Sequence, residues 1–290
     1  MTAKRQSRRR FIQAAGISAV AAMTGRKTSK ANKPEPSGSG AGPAPKFELG
    51  LASYTLRKFK LDEALEMTKR VGLKYIALKD YHLSLDSTAE QIKEVADKVR
   101  QAGLVLYGGG VIYMKNEEQV NNAFEYARTA GMKVIIGVPN HDLLSLVNEK
   151  VKQYDIKVAI HNHGPTDKVY PTPASAYEKI KTLDPRIGLC IDIGHTQRAA
   201  VDPSVPAEKF ADRLLDVHIK DVTQSSKDGH TVEIGRGVID IPKFLRTLLK
   251  ISYSGVVSFE HEKDADDPLA GLAESVGYVR GALATITSEV

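Results

Sequence analysis

The chain has one cysteine, Cys190, in 290 residues. A single cysteine excludes an intrachain disulfide and a thiolate zinc cluster. It does not exclude export, because a well-packed domain of this size needs no staple. Long apolar runs are also missing: the mildly apolar stretch Ala14–Met23 is too short to span a bilayer as a stable helix. Acidic residues are absent from the first 32 positions, which hold Lys4, Arg5, Arg8, Arg9, Arg10, Arg26, Lys27 and Lys30. The whole chain carries 41 basic and 35 acidic residues, a net of +6; without those eight, 33 basic face 35 acidic, a net of −2. The body therefore has no general attraction for nucleic acid. A glycine-rich phosphate loop is lacking after the first apolar run, where Ala52-Ser53-Tyr54-Thr55 stands instead. Gly108-Gly109-Gly110 reads as a bend at a strand end.

The basic excess has a local explanation. Ser7–Gln13 reads S-R-R-R-F-I-Q and precedes the short apolar stretch. A basic start, paired arginines and a brief apolar run together indicate a twin-arginine export signal. The expected partner is the twin-arginine export machinery, and the expected location is periplasmic or otherwise extracytoplasmic. No clean A-x-A follows Met23, so an uncleaved signal acting as an anchor stays open. Gly, Pro, Ser and Lys then dominate up to Lys46, too polar to fold alone. Residues 1–32 are thus read as a signal segment, 33–46 as a disordered linker and 47–290 as the folded body.

From Phe47 short apolar runs alternate with stretches of helical period. Strands are predicted at Phe47–Ser53, Lys74–Lys79, Val105–Gly110, Lys133–Val138, Ile156–Asn162, Ile187–Ile193, Leu215–Ile219 and Val256–His261. Helices are predicted at Leu61–Val71, Thr88–Ala102, Glu117–Ala130, Leu143–Tyr154, Ala174–Thr182, Ala207–Leu214, Ile241–Leu249 and Pro268–Ile286. Gly72, Gly103 and Gly131 each close a helix before a strand, at the spacing of one βα unit. Eight such units make an α/β fold of the (β/α)₈ TIM barrel type, in one domain. The alternative, an open doubly wound sheet, lacks its phosphate loop.

Histidines fall where a barrel puts chemistry. His82, His141, His161, His163, His195, His218 and His261 follow or end predicted strands, and these ends converge on one mouth. Asp192, Glu260 and Glu262 join them. Alternation places His161 with His163, His218 with Lys220, and Glu260 with Glu262 on shared faces. Imidazole with carboxylate suits a divalent Zn, Mn, Fe or Co ion. Taken singly, each acid could instead be a helix cap or a rim salt bridge.

Asp192-Ile193-Gly194-His195, Val217-His-Ile-Lys-Asp221, Glu233-Ile-Gly-Arg-Gly-Val-Ile-Asp-Ile-Pro242 and Ser258-Phe-Glu-His-Glu262 resemble, in order and spacing, the xylose isomerase-like sugar phosphate isomerase/epimerase superfamily. The resemblance covers Phe47 to about Ile286. It implies a TIM barrel acting on a small sugar or polyol, with metal ligands on strands five to eight. Asp192, His218 and Glu260 match three of the epimerase ligands; His195 matches a histidine that contacts substrate or metal. Strand five departs, carrying His161 where epimerases carry glutamate. Its ligand is therefore His161 or His163. With His163 in the sphere, His161 joins Glu262 and Lys220 as candidate acid–base groups; Lys220 qualifies if neighbouring positive charge lowers its pKa.

The chemistry this implies is polarisation of a keto-sugar or polyol-derived ketone, removal of the adjacent proton, and an enediolate. Return of the proton isomerises or epimerises; loss of a β-hydroxyl makes an inosose dehydratase-type lyase. Arg236, Lys79 and His82 are candidate substrate contacts, each with a structural alternative. An endonuclease IV-like reading of the fold fails on the acidic body. A sugar-binding barrel without turnover, and a lyase for oxidised glycans, are the further alternatives. Metal identity, substrate and homo-oligomer formation stay open.

Overall fold

The computed structural model describes residues 45–288. The expected signal segment and residues 33–44 of the expected linker lie outside them. Eight parallel strands close into a barrel: β1 (Glu48–Ala52), β2 (Tyr75–Leu78), β3 (Val105–Met114), β4 (Val134–Pro139), β5 (Lys157–His161), β6 (Ile187–Asp192), β7 (Leu214–Ile219) and β8 (Val256–Phe259). Each pairs with its sequence neighbours, and β8 closes on β1. The barrel expectation is met. All eight predicted strands are present, most within a residue or two of their predicted ends.

Helices pack around the barrel: α1 (Leu61–Arg70), α2 (Ala89–Gln101), α3 (Glu117–Ala130), α4 (Leu144–Tyr154), α5 (Pro173–Ile180), α6 (Ile193–Arg198), α7 (Ser204–Lys209), α8 (Ile241–Lys250) and α9 (Leu269–Ser288). Local chemistry sets their ends. Thr88 and Gln91 form a reciprocal capping box at the start of α2, satisfying donors that the first helical turn leaves free. Gly131 closes α3 at φ 71°, a conformation that costs a side-chain-bearing residue. In α8, Ile241, Phe244, Leu245 and Leu248 are buried at helical spacing on one face. Each such side chain contributes about 1.5–3 kcal/mol on full burial. Among the described residues no helix is long and apolar enough to cross a membrane.

Two local expectations are corrected, and two elements appear that were not expected. The helix predicted at Ala207–Leu214 is α7, ending at Lys209, followed by a 3₁₀ turn at Ala211–Arg213; Leu214 already belongs to β7. Gly108–Gly110 lies inside β3 rather than at its end. The strand shifts register there against β4, and a Cβ at Gly110 would sit 2.2 Å from Ile136 O. The glycines therefore allow close strand approach. Finally, α6 starts directly from β6, and a two-stranded ribbon (Asp221–Val222 with Thr231–Val232) follows β7.

Candidate metal centre

His161 ends β5, Asp192 ends β6, His218 lies in β7, and Glu260 follows β8. Parallel register sets Asp192 beside His218. One donor atom from each of the four residues lies within 4.8 Å of every other. His161 Nε2 is 3.3 Å from Asp192 Oδ2, and His218 Nδ1 is 3.3 Å from Glu260 Oε2. All four side chains are buried.

The donor set fits a divalent cation. His161 Nε2 and both ring nitrogens of His218 are buried without a hydrogen-bond partner. Such groups are costly unless something ligates them. Asp192 divides its work: Oδ1 caps α6 by accepting the His195 N–H at 2.8 Å, while Oδ2 faces the cluster. Asn162 steadies the same residue, accepting the Asp192 N–H at 3.1 Å. Burial pushes the His161 pKa down to about 3, outweighing the opposing pull of Asp192. Its imidazole is neutral at physiological pH, as a ligand must be. For His218, burial works downward, but Glu260 and Asp216 raise its pKa overall.

Lys220 enters from β7's end. Its Nζ lies 2.5 Å from Glu260 Oε2, 3.0 Å from Asp192 Oδ2, and in a short contact with Glu262 Oε1. Gly194 makes room, since a Cβ there would sit 2.4 Å from Lys220 Cγ. Burial lowers the lysine pKa, yet the three carboxylates together hold it well above its ordinary value. Without an ion Lys220 is thus held as a cation; the condition for Lys220 as a base, a neighbouring positive charge, would come with a divalent ion on the same carboxylates. Asp192, Glu260 and Glu262 against one ammonium leave two negative charges, which a divalent ion would balance.

Above the four donors a cavity of about 320 Å³ is lined by Tyr54, Lys79, Val111, Tyr113, His161, His163, His195, Glu260 and Glu262. His163 is at this mouth, its Nε2 within 3.0 Å of the Tyr113 hydroxyl. Of the two histidines expected as alternative strand-five ligands, His161 is the one whose donor atom lies in the cluster. Burial, reinforced by His195, lowers the His163 pKa; burial also lowers that of His195. Glu262 reaches the cavity with its side chain 31% exposed.

The substrate-contact expectations divide. Lys79 and His195 line the cavity. Arg236 does not: its guanidinium forms a two-point ion pair with Glu274 of α9, at 2.6 and 2.7 Å. His82 is buried, its ring held between Ser53 Oγ and Phe59 O. Both take their structural alternatives.

Two groups escaped the sequence reading. Beneath His218, Asp216 is fully buried and accepts from the Tyr107 hydroxyl and the Cys190 thiol, each at 3.2 Å. Burial raises its pKa to about 6 against the pull of His218. Asp221 accepts backbone N–H groups of Val222, Gly235, Gly237 and Ile239 at 2.8–3.1 Å. It thereby organises the loop between the ribbon and α8. Alternation back from His218 points to Asp216; Asp221 closes the Val217–Asp221 motif, which gave it no role of its own.

A family model described as xylose isomerase-like TIM barrel matches residues 57–282. The rhizopine catabolism protein MocC of Rhizobium meliloti is 27% identical over 132 residues, 40% of either chain. An inosose dehydratase of Lacticaseibacillus casei is 23% identical over 137 residues, 42% of this chain and 45% of that one. The matches thus span less than half the length of these curated relatives. Among solved structures, L-ribulose 3-epimerase superposes with a TM-score of 0.69 at 18% identity, over 84% of this chain and 97% of that one. The IOLI protein, solved with a zinc atom, gives 0.66 at 19% over 84% and 99%. At such identities these structures show the fold.

Proposed function

Because the chain belongs to the xylose isomerase-like TIM barrel family, we propose that it is a divalent-metal-dependent isomerase or epimerase of a keto-sugar or polyol-derived ketone. One observation carries the reading: buried imidazole nitrogens of His161 and His218 that lack a hydrogen-bond partner gather with Asp192 and Glu260 at the floor of a polar cavity. His161, Asp192, His218 and Glu260 would hold the ion, with His161 as the strand-five ligand. When bound, Zn, Mn, Co or Fe would supply a Lewis acid that polarises a carbonyl. Glu262 is the carboxylate placed to take the adjacent proton. His163 and His195, both neutral, are placed to relay it. Lys220, in contact with Glu260 and Glu262, holds both in position.

A dehydratase is the second reading. Strand five supplies His161 rather than a carboxylate, and outside the four metal donors the cavity lining includes one acid, Glu262, and two imidazoles, His163 and His195. Unlike groups suit elimination, where one takes a proton and another assists the departing hydroxyl. The partial match to an inosose dehydratase agrees with it.

Incubating the metal-loaded protein in D₂O with keto-sugars and inososes, followed by NMR, tests both. Deuterium beside the carbonyl with an isomer or epimer supports the first reading. An unsaturated or dehydrated product selects the second. Bound metal and bound sugar without exchange would make the chain a binding barrel and overturn both.

Residues 1–32 are further proposed as a twin-arginine signal, giving a periplasmic or extracytoplasmic protein that meets unphosphorylated substrates. A reporter fused to this segment should leave the cytoplasm, and Arg8→Lys with Arg9→Lys should retain it there. Export unchanged by the pair would refute the assignment.

A further inference from the structure

We infer that the barrel holds a second, thiophilic metal position formed by His161, Cys190 and His218, just below the first and sharing both imidazoles with it. Donor atoms of these three residues lie within 4.8 Å of one another. Cys190 precedes Asp192 by two residues on β6, so both side chains point inward, about 7 Å apart along the strand. His161 and Cys190 are direct register partners across β5 and β6.

His218 turns one nitrogen to each position: Nδ1 is 3.3 Å from Glu260 Oε2, and Nε2 is 3.6 Å from Asp216 Oδ2, the oxygen that accepts from Cys190. Lys220 already supplies a cation to Asp192 and Glu260. His161 Nε2 and both nitrogens of His218 have no hydrogen-bond partner, and each ring is 1% exposed. The atoms left without partners therefore include the two imidazoles that Cys190 can join. Thiolate with imidazole selects softer ions than imidazole with carboxylate does. A hard ion such as Mn²⁺ belongs with the carboxylates, and a soft ion such as Cd²⁺ with Cys190.

Occupation balances chemically. The S–H bond of Cys190 breaks, a sulfur–metal bond forms, and the proton passes to Asp216 Oδ2, which already accepts from the thiol at 3.2 Å. A soft ion held there sits below the mouth and takes both imidazoles from the upper position. The two occupations are mutually exclusive.

Titration of the metal-free protein with Cd²⁺ alone and with Mn²⁺ alone tests this. Cys190 is the only cysteine, so a thiolate-to-Cd²⁺ charge-transfer absorption has a single source. The absorption should saturate at one Cd²⁺ per chain and vanish in Cys190→Ser, with Cd²⁺ affinity falling at least about tenfold. Cys190→Ala serves if the serine variant does not fold. Asp192→Asn should keep the Cd²⁺ absorption while losing Mn²⁺ binding, read by electron paramagnetic resonance; Cd²⁺ should displace Mn²⁺ from the wild type. No charge-transfer absorption in the wild type, or its survival without Cys190, overturns the inference and leaves the upper site untouched. Loss of Mn²⁺ binding in the wild type, with the Cd²⁺ absorption present, overturns the upper site alone.

Discussion

Replacing Lys220 with methionine removes the one cation buried among three carboxylates. Its Nζ reaches Asp192 and Glu260 at 3.0 and 2.5 Å with the side chain 2% exposed. Breaking a buried charge pair from one side costs about 3–5 kcal/mol. Glu262, 31% exposed, adds less because water screens it. At about 2–4 °C per kcal/mol for a domain of this size, metal-free Lys220→Met should melt about 6–20 °C below the wild type. A divalent ion at a thousand times its Kd returns about 4 kcal/mol. It should bind the variant more tightly, since no ammonium competes for the carboxylates. Thermal unfolding by circular dichroism, after chelation and after Mn²⁺ addition, measures both effects. A metal-free variant melting within about 2 °C of the wild type, or gaining no more from Mn²⁺ than the wild type, would refute the reasoning.

The buried acid below His218 gives a pH signature. Asp216 has a folded pKa raised to about 6, so its stabilising contribution is full below the unfolded value near 4 and is lost as pH rises to 6. Relative to Asp216→Asn, wild-type stability in urea unfolding should fall by up to about 1.4 kcal/mol per pH unit across that window; a constant difference would contradict it. His161, with its pKa lowered to about 3, acts oppositely: stability is full above about 6.5 and is lost as pH falls toward 3. Asp221→Ala strips four backbone N–H groups of their acceptor. It should cost at least about 3 kcal/mol and speed amide exchange at Gly235, Gly237 and Ile239; unchanged exchange would count against the loop-organising role. Arg236→Ala breaks an exposed, water-screened pair with Glu274 and should leave the melting temperature close to the wild type's, with metal affinity unaltered in calorimetry.

The barrel was legible because its signals are local. Period, helix caps and the glycines at Gly72, Gly103 and Gly131 each depend on a few neighbouring residues. The site was legible to the level of strand ends, since parallel strands bring those ends together. It was less legible in depth. His161 and His163 share a face, so alternation could not say which one reaches the donors of Asp192 and His218. The charge of Lys220 depends on carboxylates from β6 and from the residues after β8, and the partner of Arg236 comes from α9. The polar layer of Tyr107, Cys190, Asp216 and Ser258 draws on four strands, with the Tyr107 and Ser258 hydroxyls 2.5 Å apart. No window of sequence holds that layer. Asp192 was read as either a helix cap or a ligand, but its two oxygens allow it to face both ways.

The central claim is that His161, Asp192, His218 and Glu260 together hold a divalent ion. Metal analysis and calorimetry with Mn²⁺ on the chelated wild type, Asp192→Asn and His163→Gln test it most directly. One ion per chain is expected in the wild type, with affinity lower by at least about tenfold in Asp192→Asn and near-wild-type binding in His163→Gln. Wild-type stoichiometry and affinity in Asp192→Asn, or loss of the ion in His163→Gln, would contradict it.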